Sequence, residues 1–290
     1  MKLLPSTCYQ IACTWEVLAR KVGNVHRTAD FAGTTLHDFL LSAIVSTDDI
    51  SNVQTPSVGA SILQAAMHTH RAVKQNTNLG ILLLIAPLAC IPVHVPLRSE
   101  LEKTLASLTN DDARAVYRAI RLMNPGGLGS VEDQDANTEP TVTLLEAMKL
   151  AADRDLIARQ YAANYVDLFD FGVPHLLAAY ERLGSIEAAI VDHQFRWLAE
   201  HPDSLIARKC GAAMADGVRS MARRVLELGG LETAAGRTAG VELDRFLRAD
   251  GHRRNPGTTA DLIAGCLFIA LREGKLSPAA PFAWDVPDWL

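Results

Sequence analysis

Helical periodicity runs through almost the whole chain and restricts it to one class of fold. Apolar residues return every three or four positions, as at Ile11, Trp15 and Leu18 and again at Val116 and Ile120. Such spacing lines one face of an α-helix, whereas the alternating pattern of a half-buried strand is almost absent. The pattern therefore predicts an all-α protein.

Start and stop signals divide this pattern into separate helices. A helix should begin at the Asn-Asp-Asp of 110–112 and end near 124, and Gly184-Ser185 separates two helices between 166 and 200. Further helices fit the ranges 57–75, 139–152, 211–228, 232–249 and 258–274. We expect roughly a dozen helices in one orthogonal multi-helix bundle that spans 1–290 as a single domain without a strong linker.

Three stretches depart from the simple helical pattern. Residues 79–97 contain no charged side chain, but three prolines interrupt them, so we expect a buried central helix to about residue 91 and no membrane span. Residues 124–138 form an irregular, Gly-rich and acidic loop. The tail 277–290 is rich in Pro and Trp and should pack on the rest of the protein.

Composition excludes several classes of partner. The formal net charge of −5, with no run of Lys or Arg longer than two, leaves no basic footprint for nucleic acid or an anionic membrane. Five cysteines without a C-x-x-C pair predict reduced thiols and no structural zinc, and no secretory signal is present, so we expect a cytoplasmic protein. A homodimer stays open.

The segment 255–261, Asn-Pro-Gly-Thr-Thr-Ala-Asp, opens directly into a strongly apolar helix. Unpaired N–H groups in the first turn of a helix suit phosphate, and a carboxylate beside them suits Mg²⁺. We therefore expect Gly257, Thr258 and Thr259 to bind a nucleotide and Asp261 to act on its metal. The alternative is that a threonine is only an N-cap and Asp261 completes a capping box.

Two further segments have the composition of a nucleotide site. The run 76–80, Asn-Thr-Asn-Leu-Gly, precedes the central apolar helix, and Asn78 is the expected N-cap. The run 16–27 places cations in the exit from the first helix, which suits a polyphosphate, although dipole compensation explains many such clusters. The alternative for 76–80 is that its polar groups bond to a neighbouring loop.

Together these segments resemble the triphosphoribosyl-dephospho-CoA synthase family, in a divergent form associated with tetrahydromethanopterin-linked one-carbon metabolism. The similarity covers nearly the whole chain in the family's order. It lies in a Glu…Lys-x-Gly-x-Val-x-Arg pattern at 16–27, Phe-x-x-Ser-Ala at 39–43, Asn-Thr-x-x-Gly at 76–80, Pro-His at 174–175 and Pro-Gly-x-x-Ala-Asp-Leu at 256–262.

The resemblance implies an all-α, Mg²⁺-dependent transferase that moves the triphosphoribosyl group of ATP, or of a related donor, to a hydroxyl of a cofactor precursor. Three carboxylates are then the catalytic and metal-binding candidates: Glu16, Asp203 and Asp261. The nucleotide-binding candidates are Lys21, Gly23, Arg27, Asn76, Thr77, Asn78, Arg208, Gly257, Thr258 and Thr259. We expect the carboxylates to meet in one cleft with Lys21, Arg27 and Arg208 opposite them.

Departures from the family pattern leave other functions open. Val22 replaces a proline, Asn78-Leu79 replaces His-Lys, and an acidic motif near residue 31 is reduced to Asp30, whereas Asp203 and Arg208 keep their places. One alternative is ribosyl or phosphoribosyl transfer in tetrahydromethanopterin biosynthesis. Another is a non-catalytic protein that binds a pterin or a nucleotide.

Overall fold

The protein is built from α-helices joined by short connections. The computed structural model describes residues 2–51, 57–126, 138–286 and 289–290. The helices of this part are α1 (Pro5–Leu18), α2 (Leu36–Val45), α3 (Thr47–Ser51), α4 (Val58–Val73), α5 (Leu79–Ala89), α6 (Leu97–Ala106), α7 (Asn110–Met123), α8 (Leu144–Ala151), α9 (Leu156–Ala162), α10 (Val173–Leu183), α11 (Ile186–Glu200), α12 (Ser204–Cys210), α13 (Ala212–Glu227), α14 (Ala234–Arg248) and α15 (Gly257–Arg272).

The helical content confirms the predicted all-α class. Within the described ranges there is no β-sheet, only two isolated backbone bridges near residues 26–34. The helices outnumber the predicted dozen because α3, α9 and α12 have only five to seven residues each. A helix of that length is too short to show a clear 3.6-residue period. The single-domain organisation stays a prediction.

Local capping explains why α7 has its predicted bounds. The Oγ1 of Thr109 accepts a hydrogen bond from the Asp112 N–H at 3.2 Å, and the Asp112 carboxylate accepts from the Thr109 N–H at 2.8 Å. This reciprocal capping box satisfies two donors that the helix start leaves unpaired. At the other end Asn124 adopts a left-handed φ of 41° and donates its N–H to Ile120.

The central apolar helix α5 ends two residues before the predicted position and contains a proline. Pro87 has no N–H, so it cannot bond to the carbonyl of Leu83 four residues earlier. The hydroxyl of Tyr161 donates to that carbonyl at 2.6 Å instead. This bond from α9 lets a buried helix tolerate an internal proline, because the carbonyl is not left unpaired.

Two apolar clusters form the core, and α11 contributes to both. The larger cluster surrounds α15, which packs against α1, α5, α10 and α11. The smaller cluster lies between α11, α13 and α14. On α11, Ile190 and Trp197 face the first cluster while Val191 and Phe195 face the second, as expected for a helix that is apolar around its circumference.

The C-terminal tail packs against the start of the chain, as predicted. Trp289 is buried and donates its indole N–H to the carbonyl of Arg20 at 3.0 Å. The Arg20 guanidinium donates to the carbonyl of Val286 at 2.8 Å. Among the described residues, no helix has both the length and the apolar character needed to cross a membrane.

Candidate functional site

A cavity of about 410 Å³ lies where the N-termini of α5 and α15 meet the C-terminal ends of α1, α8 and α12. That volume suits one ligand of nucleotide size. Its lining falls into an apolar group, to which α7 and α8 contribute eight residues, and a polar group. The polar group includes Glu16, Asn24, Asn76, Thr77, Asn78, Asp155, Arg208, Lys209, Asn255, Thr258 and Asp261.

Asp261 projects from the second turn of α15 toward Gly80 at the start of α5. A β-carbon built on Gly80 would lie 2.5 Å from Cγ of Asp261, so the carboxylate occupies space that a larger residue would fill. Nowhere in the described ranges does another side chain form an ion pair with Asp261. Desolvation raises the pKa of this carboxyl well above its ordinary value, and the charges of Glu16, Asp203 and Asp155 raise it further.

Glu16 faces the same cavity but already has a cationic partner. Its carboxylate lies 2.9 Å from Nζ of Lys21, and neither side chain is more than 5% exposed. The Lys21 ammonium also donates to the backbone carbonyl of Glu16, and Lys21 does not line the cavity. The expected phosphate clamp at Lys21 is thus corrected: its charge is directed at Glu16, because both groups are buried together.

The segment Asn76–Asn78 lines the cavity, as predicted, with one change of role. Asn78 occupies the N-cap position of α5, as predicted, but its side chain makes no capping hydrogen bond; the N–H of Leu79 donates instead to Oδ1 of Asn76 at 3.2 Å. Nδ2 of Asn78 donates to the Thr69 hydroxyl at 3.2 Å, while its Oδ1 has no partner in the described structure. Oδ1 of Asn78 is therefore a buried acceptor available beside the cavity.

Asp203 has a structural role in this arrangement. Its Oδ1 accepts from the N–H groups of Leu205 and Ile206, which caps α12, and its Oδ2 accepts from N–H and Oγ1 of Thr259 at 2.8 Å. Asp203 and Thr259 do not line the cavity. The predicted catalytic and metal roles of Asp203 and the predicted ligand contact of Thr259 are corrected, since these bonds fix α12 against α15.

The start of α15 contains no capping box. Pro256 occupies the N-cap position and has no side-chain oxygen that could accept from the helix. Gly257 and Thr258 line the cavity as expected. The capping alternative for Asp261 therefore fails, because neither threonine occupies the cap and Asp261 lies beyond the first turn.

Gly23 and Arg27 lie outside the cavity lining. The N–H of Gly23 donates to Oδ1 of Asp244 at 2.8 Å, and its φ of 68° requires a residue without a β-carbon. Arg27 lies 3.0 Å from the carboxylate of Glu187, a fully buried residue that also binds Arg20. The structure therefore does not bring these two predicted nucleotide contacts to the cavity: Gly23 forms a tight turn and Arg27 compensates a buried carboxylate.

Among the described residues, three cations line the cavity: Arg208 and Lys209 of α12, and the exposed Arg154, which follows α8. Arg208 lines it, as predicted, and forms an ion pair with Asp155, whose other oxygen caps α9. Lys209, which the sequence analysis missed, also lines it and donates to Oδ1 of Asn255 at 3.0 Å. Desolvation lowers the pKa of Lys209. The adjacent Arg-Lys pair in the sequence was the available signal, because Arg208 was already a candidate.

The three predicted metal ligands do not form a preformed metal centre. No group of three or more His, Cys, Asp or Glu side chains among the described residues is arranged to hold a metal ion. Asp203 is occupied by N–H groups and Glu16 by Lys21, which leaves Asp261. Mg²⁺ is commonly held by one or two carboxylates together with substrate phosphates, so Asp261 fits a metal that arrives with its nucleotide.

Two histidines, His68 and His175, do not line the cavity. Nδ1 of His175 lies 2.8 Å from the carbonyl oxygen of Phe171, a structural contact. His68 pairs with Asp49. Of the acidic loop 124–138, Pro125 and Gly126 line the cavity, and most of the remaining loop lies outside the described residues.

Comparison with known proteins agrees with the resemblance seen in the sequence. A protein of Pseudomonas syringae pv. tomato, named a probable 2-(5''-triphosphoribosyl)-3'-dephosphocoenzyme-A synthase, is 37% identical over 78 residues, which are 27% of this chain and 26% of that protein. A Pseudomonas aeruginosa protein of the same name is 36% identical over 102 residues, 34% of this chain and 33% of that protein. The chain thus aligns with about a quarter to a third of the length of these relatives.

A solved structure and a family model extend the agreement over most of the chain. The crystal structure of a candidate triphosphoribosyl-dephospho-CoA synthase from Archaeoglobus fulgidus matches with a TM-score of 0.64 and 28% identity, over 81% of this chain and 98% of that chain. The model of the family described as ATP:dephospho-CoA triphosphoribosyl transferase matches residues 3–278. Because that match spans almost the whole sequence, the chain belongs to the ATP:dephospho-CoA triphosphoribosyl transferase family.

Proposed function

We propose that this protein transfers the triphosphoribosyl group of ATP to a ribose hydroxyl of dephospho-CoA and releases adenine. Family membership supports the reaction class. The observation that carries the assignment to this cavity is the Asp261 carboxylate, which lacks an ion-pair partner within the described structure while Arg208 and Lys209 line the same space. A ribosyl transfer from a nucleoside triphosphate requires both kinds of charge close together.

In the proposed reaction one bond at the ribose anomeric carbon is replaced by another. The bond between the ribose anomeric carbon and the adenine nitrogen breaks, and a bond from that carbon to the acceptor oxygen forms. The acceptor hydroxyl loses its proton and the departing adenine gains one, so atoms and charge balance. Positive charge develops on the ribose ring in the transition state, as in other glycosyl transfers, and a nearby carboxylate stabilises it.

Asp261 is the residue we assign to that carboxylate. An ionised Asp261 is unfavourable in the empty cavity, because burial and neighbouring carboxylates disfavour its charge. A positively charged ribosyl carbon beside it removes this penalty at the moment of reaction. Such an interaction is stronger in the transition state than in the ground state, which is the condition for raising the rate.

Arg208 and Lys209 are the residues we assign to the triphosphate. Both lie on α12 and line the cavity with Gly257 and Thr258, which belong to the first turn of α15. Guanidinium and ammonium groups form charge-assisted hydrogen bonds to phosphate, and the positive end of a helix dipole adds to them. Asp155 holds Arg208 in place before the nucleotide binds.

Glu16 and the amides of Asn76 and Asn78 complete the proposed site. Glu16 is our candidate base for the acceptor hydroxyl, and Lys21 fixes its position. The unpartnered Oδ1 of Asn78 offers an acceptor to a ribose hydroxyl. When bound, Mg²⁺ would neutralise phosphate charge, and Asp261 is the protein ligand that we propose for it.

The direct test incubates the purified protein with ATP, dephospho-CoA and Mg²⁺ and measures adenine by chromatography and the product by mass. We expect adenine and triphosphoribosyl-dephospho-CoA in equal amounts. Asp261→Asn should lower the rate at least tenfold, and Asp216→Asn, on an exposed part of α13, should not change it. Adenine released without a coupled product would point to another acceptor, and no turnover together with tight ATP binding would support the non-catalytic alternative.

The tetrahydromethanopterin alternative has no support from the relatives described above. Their names refer to dephospho-CoA. Replacing dephospho-CoA by a pterin acceptor in the same assay gives the comparison. A higher rate with the pterin would overturn the proposed acceptor while leaving the donor assignment in place.

A further inference from the structure

Apolar side chains of α7 and α8 form one continuous part of the cavity lining. We call this part the apolar wall; it is formed by Val116, Tyr117, Ile120, Leu144, Ala147, Met148, Leu150 and Ala151. Leu144 is fully buried and Met148 is 8% exposed, so these side chains belong to the core and yet face open space. Phosphates and carboxylates would lose hydration against such a surface without gaining hydrogen bonds. An uncharged, apolar group is its expected occupant.

The apolar lining continues up to Asp261. A β-carbon built on Gly80 would lie 2.5 Å from Cγ of Asp261 and 2.7 Å from Cδ1 of Ile157, so these two side chains meet above Gly80. Ile157, Ala158 and Leu83 line the cavity next to this junction. A ribose held at Asp261 therefore has apolar side chains beside it.

We propose that the apolar wall receives the adenine base of ATP and so selects the donor nucleotide. This inference rests on the proposed function, because it takes the anomeric carbon to lie at Asp261. The base is joined to that carbon by a single bond, so it must lie within a few ångströms of the carboxylate. The triphosphate is attached at the other side of the ribose and extends to Arg208 and Lys209.

Adenine fits the chemistry of the wall. It is flat and uncharged, its ring faces are apolar, and aromatic and thioether side chains such as Tyr117 and Met148 pack well against rings of this kind. The pantetheine arm of dephospho-CoA is the competing apolar occupant. That arm is separated from the reacting hydroxyl by the charged diphosphate, which the wall cannot accommodate between its apolar residues and Asp261.

The experiment compares two ligands that share the phosphates and differ in the nucleoside. Ala151→Phe fills the wall at a position that is only partly buried, and Ala152→Phe changes the neighbouring alanine, which does not line the cavity. Affinities for ATP, for inorganic tripolyphosphate and for dephospho-CoA are measured by calorimetry. We expect Ala151→Phe to weaken ATP at least tenfold and tripolyphosphate less than twofold, and Ala152→Phe to change neither.

Three outcomes would overturn the inference. Equal loss of ATP and tripolyphosphate affinity in Ala151→Phe would mean that the wall does not hold the base, provided that its melting temperature is normal. Unchanged ATP affinity with weakened dephospho-CoA would assign the wall to the acceptor. If the unmodified protein binds neither ATP nor tripolyphosphate, the proposed function itself fails, and that result is distinct from the other two.

A measurement without substitution covers the case in which Ala151→Phe does not fold. If the base is bound by the wall, the unmodified protein should bind ATP at least tenfold more tightly than tripolyphosphate, which corresponds to about 1.4 kcal/mol. Free adenine should then compete with ATP and should not compete with tripolyphosphate. Equal affinity for the two polyphosphates would contradict the proposal.

Discussion

Gly80 and Asp261 are in such close contact that a β-carbon at residue 80 would lie 2.5 Å from the carboxylate carbon. Two helix starts, those of α5 and α15, are thereby brought together at the cavity. Only glycine at residue 80 permits this approach. The contact fixes the position of the carboxylate on which the proposed chemistry depends.

Gly80→Ala should therefore damage the site more than the fold. The added methyl group overlaps Asp261 and Ile157, and overpacking of this kind costs about 1–3 kcal/mol. We expect a lower melting temperature and at least a tenfold lower rate of adenine release. Gly217→Ala on α13 is the control, because nothing lies within 4 Å of its added carbon. Gly217→Ala should raise the free energy of unfolding by up to about 1 kcal/mol. A Gly80→Ala variant with full activity would contradict the placement of Asp261.

Asp261→Asn should separate stability from ligand binding. The folded-state pKa of Asp261 is raised, so its contribution to stability is complete below its unfolded pKa and is lost as the pH rises through the folded pKa. Asparagine stays neutral, so the ligand-free variant should melt at or above the temperature of the unmodified protein at pH 8. Affinity for Mg²⁺-ATP should fall at least tenfold, about 1.4 kcal/mol.

The same variant also tests the structural alternative. If Asp261 only supported the helix start, Asp261→Asn would melt at a lower temperature at every pH and would bind nucleotide normally. Thermal scans at pH 5 and pH 8 with calorimetric titration of Mg²⁺-ATP distinguish the two results.

Arg27 and Arg208 should behave oppositely, although both were expected to bind phosphate. Arg27 pairs with the buried Glu187, which keeps Arg20 as a second partner, so Arg27→Gln should cost less than the roughly 3–5 kcal/mol of a fully unpaired buried charge. The affinity of Arg27→Gln for ATP should be unchanged. Arg208→Gln should weaken ATP and tripolyphosphate at least tenfold. Equal loss of ATP affinity in both variants would show that Arg27 also reaches the nucleotide.

His193 should make the protein sensitive to mild acid. Burial lowers its pKa to about 3, whereas an unfolded histidine titrates near about 6.5. Its contribution to stability is present above the unfolded pKa and is lost as the pH falls from there toward 3, by at most about 1.4 kcal/mol per pH unit. His193→Gln keeps an acceptor for Trp197 and should flatten the pH dependence of urea unfolding. The control His94→Gln, at an exposed position, should leave the pH dependence unchanged. An unchanged dependence of the unfolding free energy on pH in His193→Gln would contradict the prediction.

Local sequence signals determined most of the secondary structure. Caps and periodicity depend on residues within one or two turns, so the bounds of α7 and the break at Gly184 follow from the sequence. The same holds for the turns that begin at Asn76 and Pro256, which reach the cavity as expected. The short helices α9 and α12 were not predicted, because they have too few residues to show the 3.6-residue period of an α-helix.

The tertiary structure alone decided which charged groups face the cavity. Lys21 and Arg27 have the same local composition as a phosphate clamp, but their partners depend on how the first helix exit packs. Glu187, far away in sequence, holds Arg20 and Arg27, and Glu16 holds Lys21. A buried charge must be paired wherever the fold places it. The pairs of Glu187 with Arg20 and Arg27 join residues more than a hundred positions apart, so no local pattern could show which of these cations would reach the site.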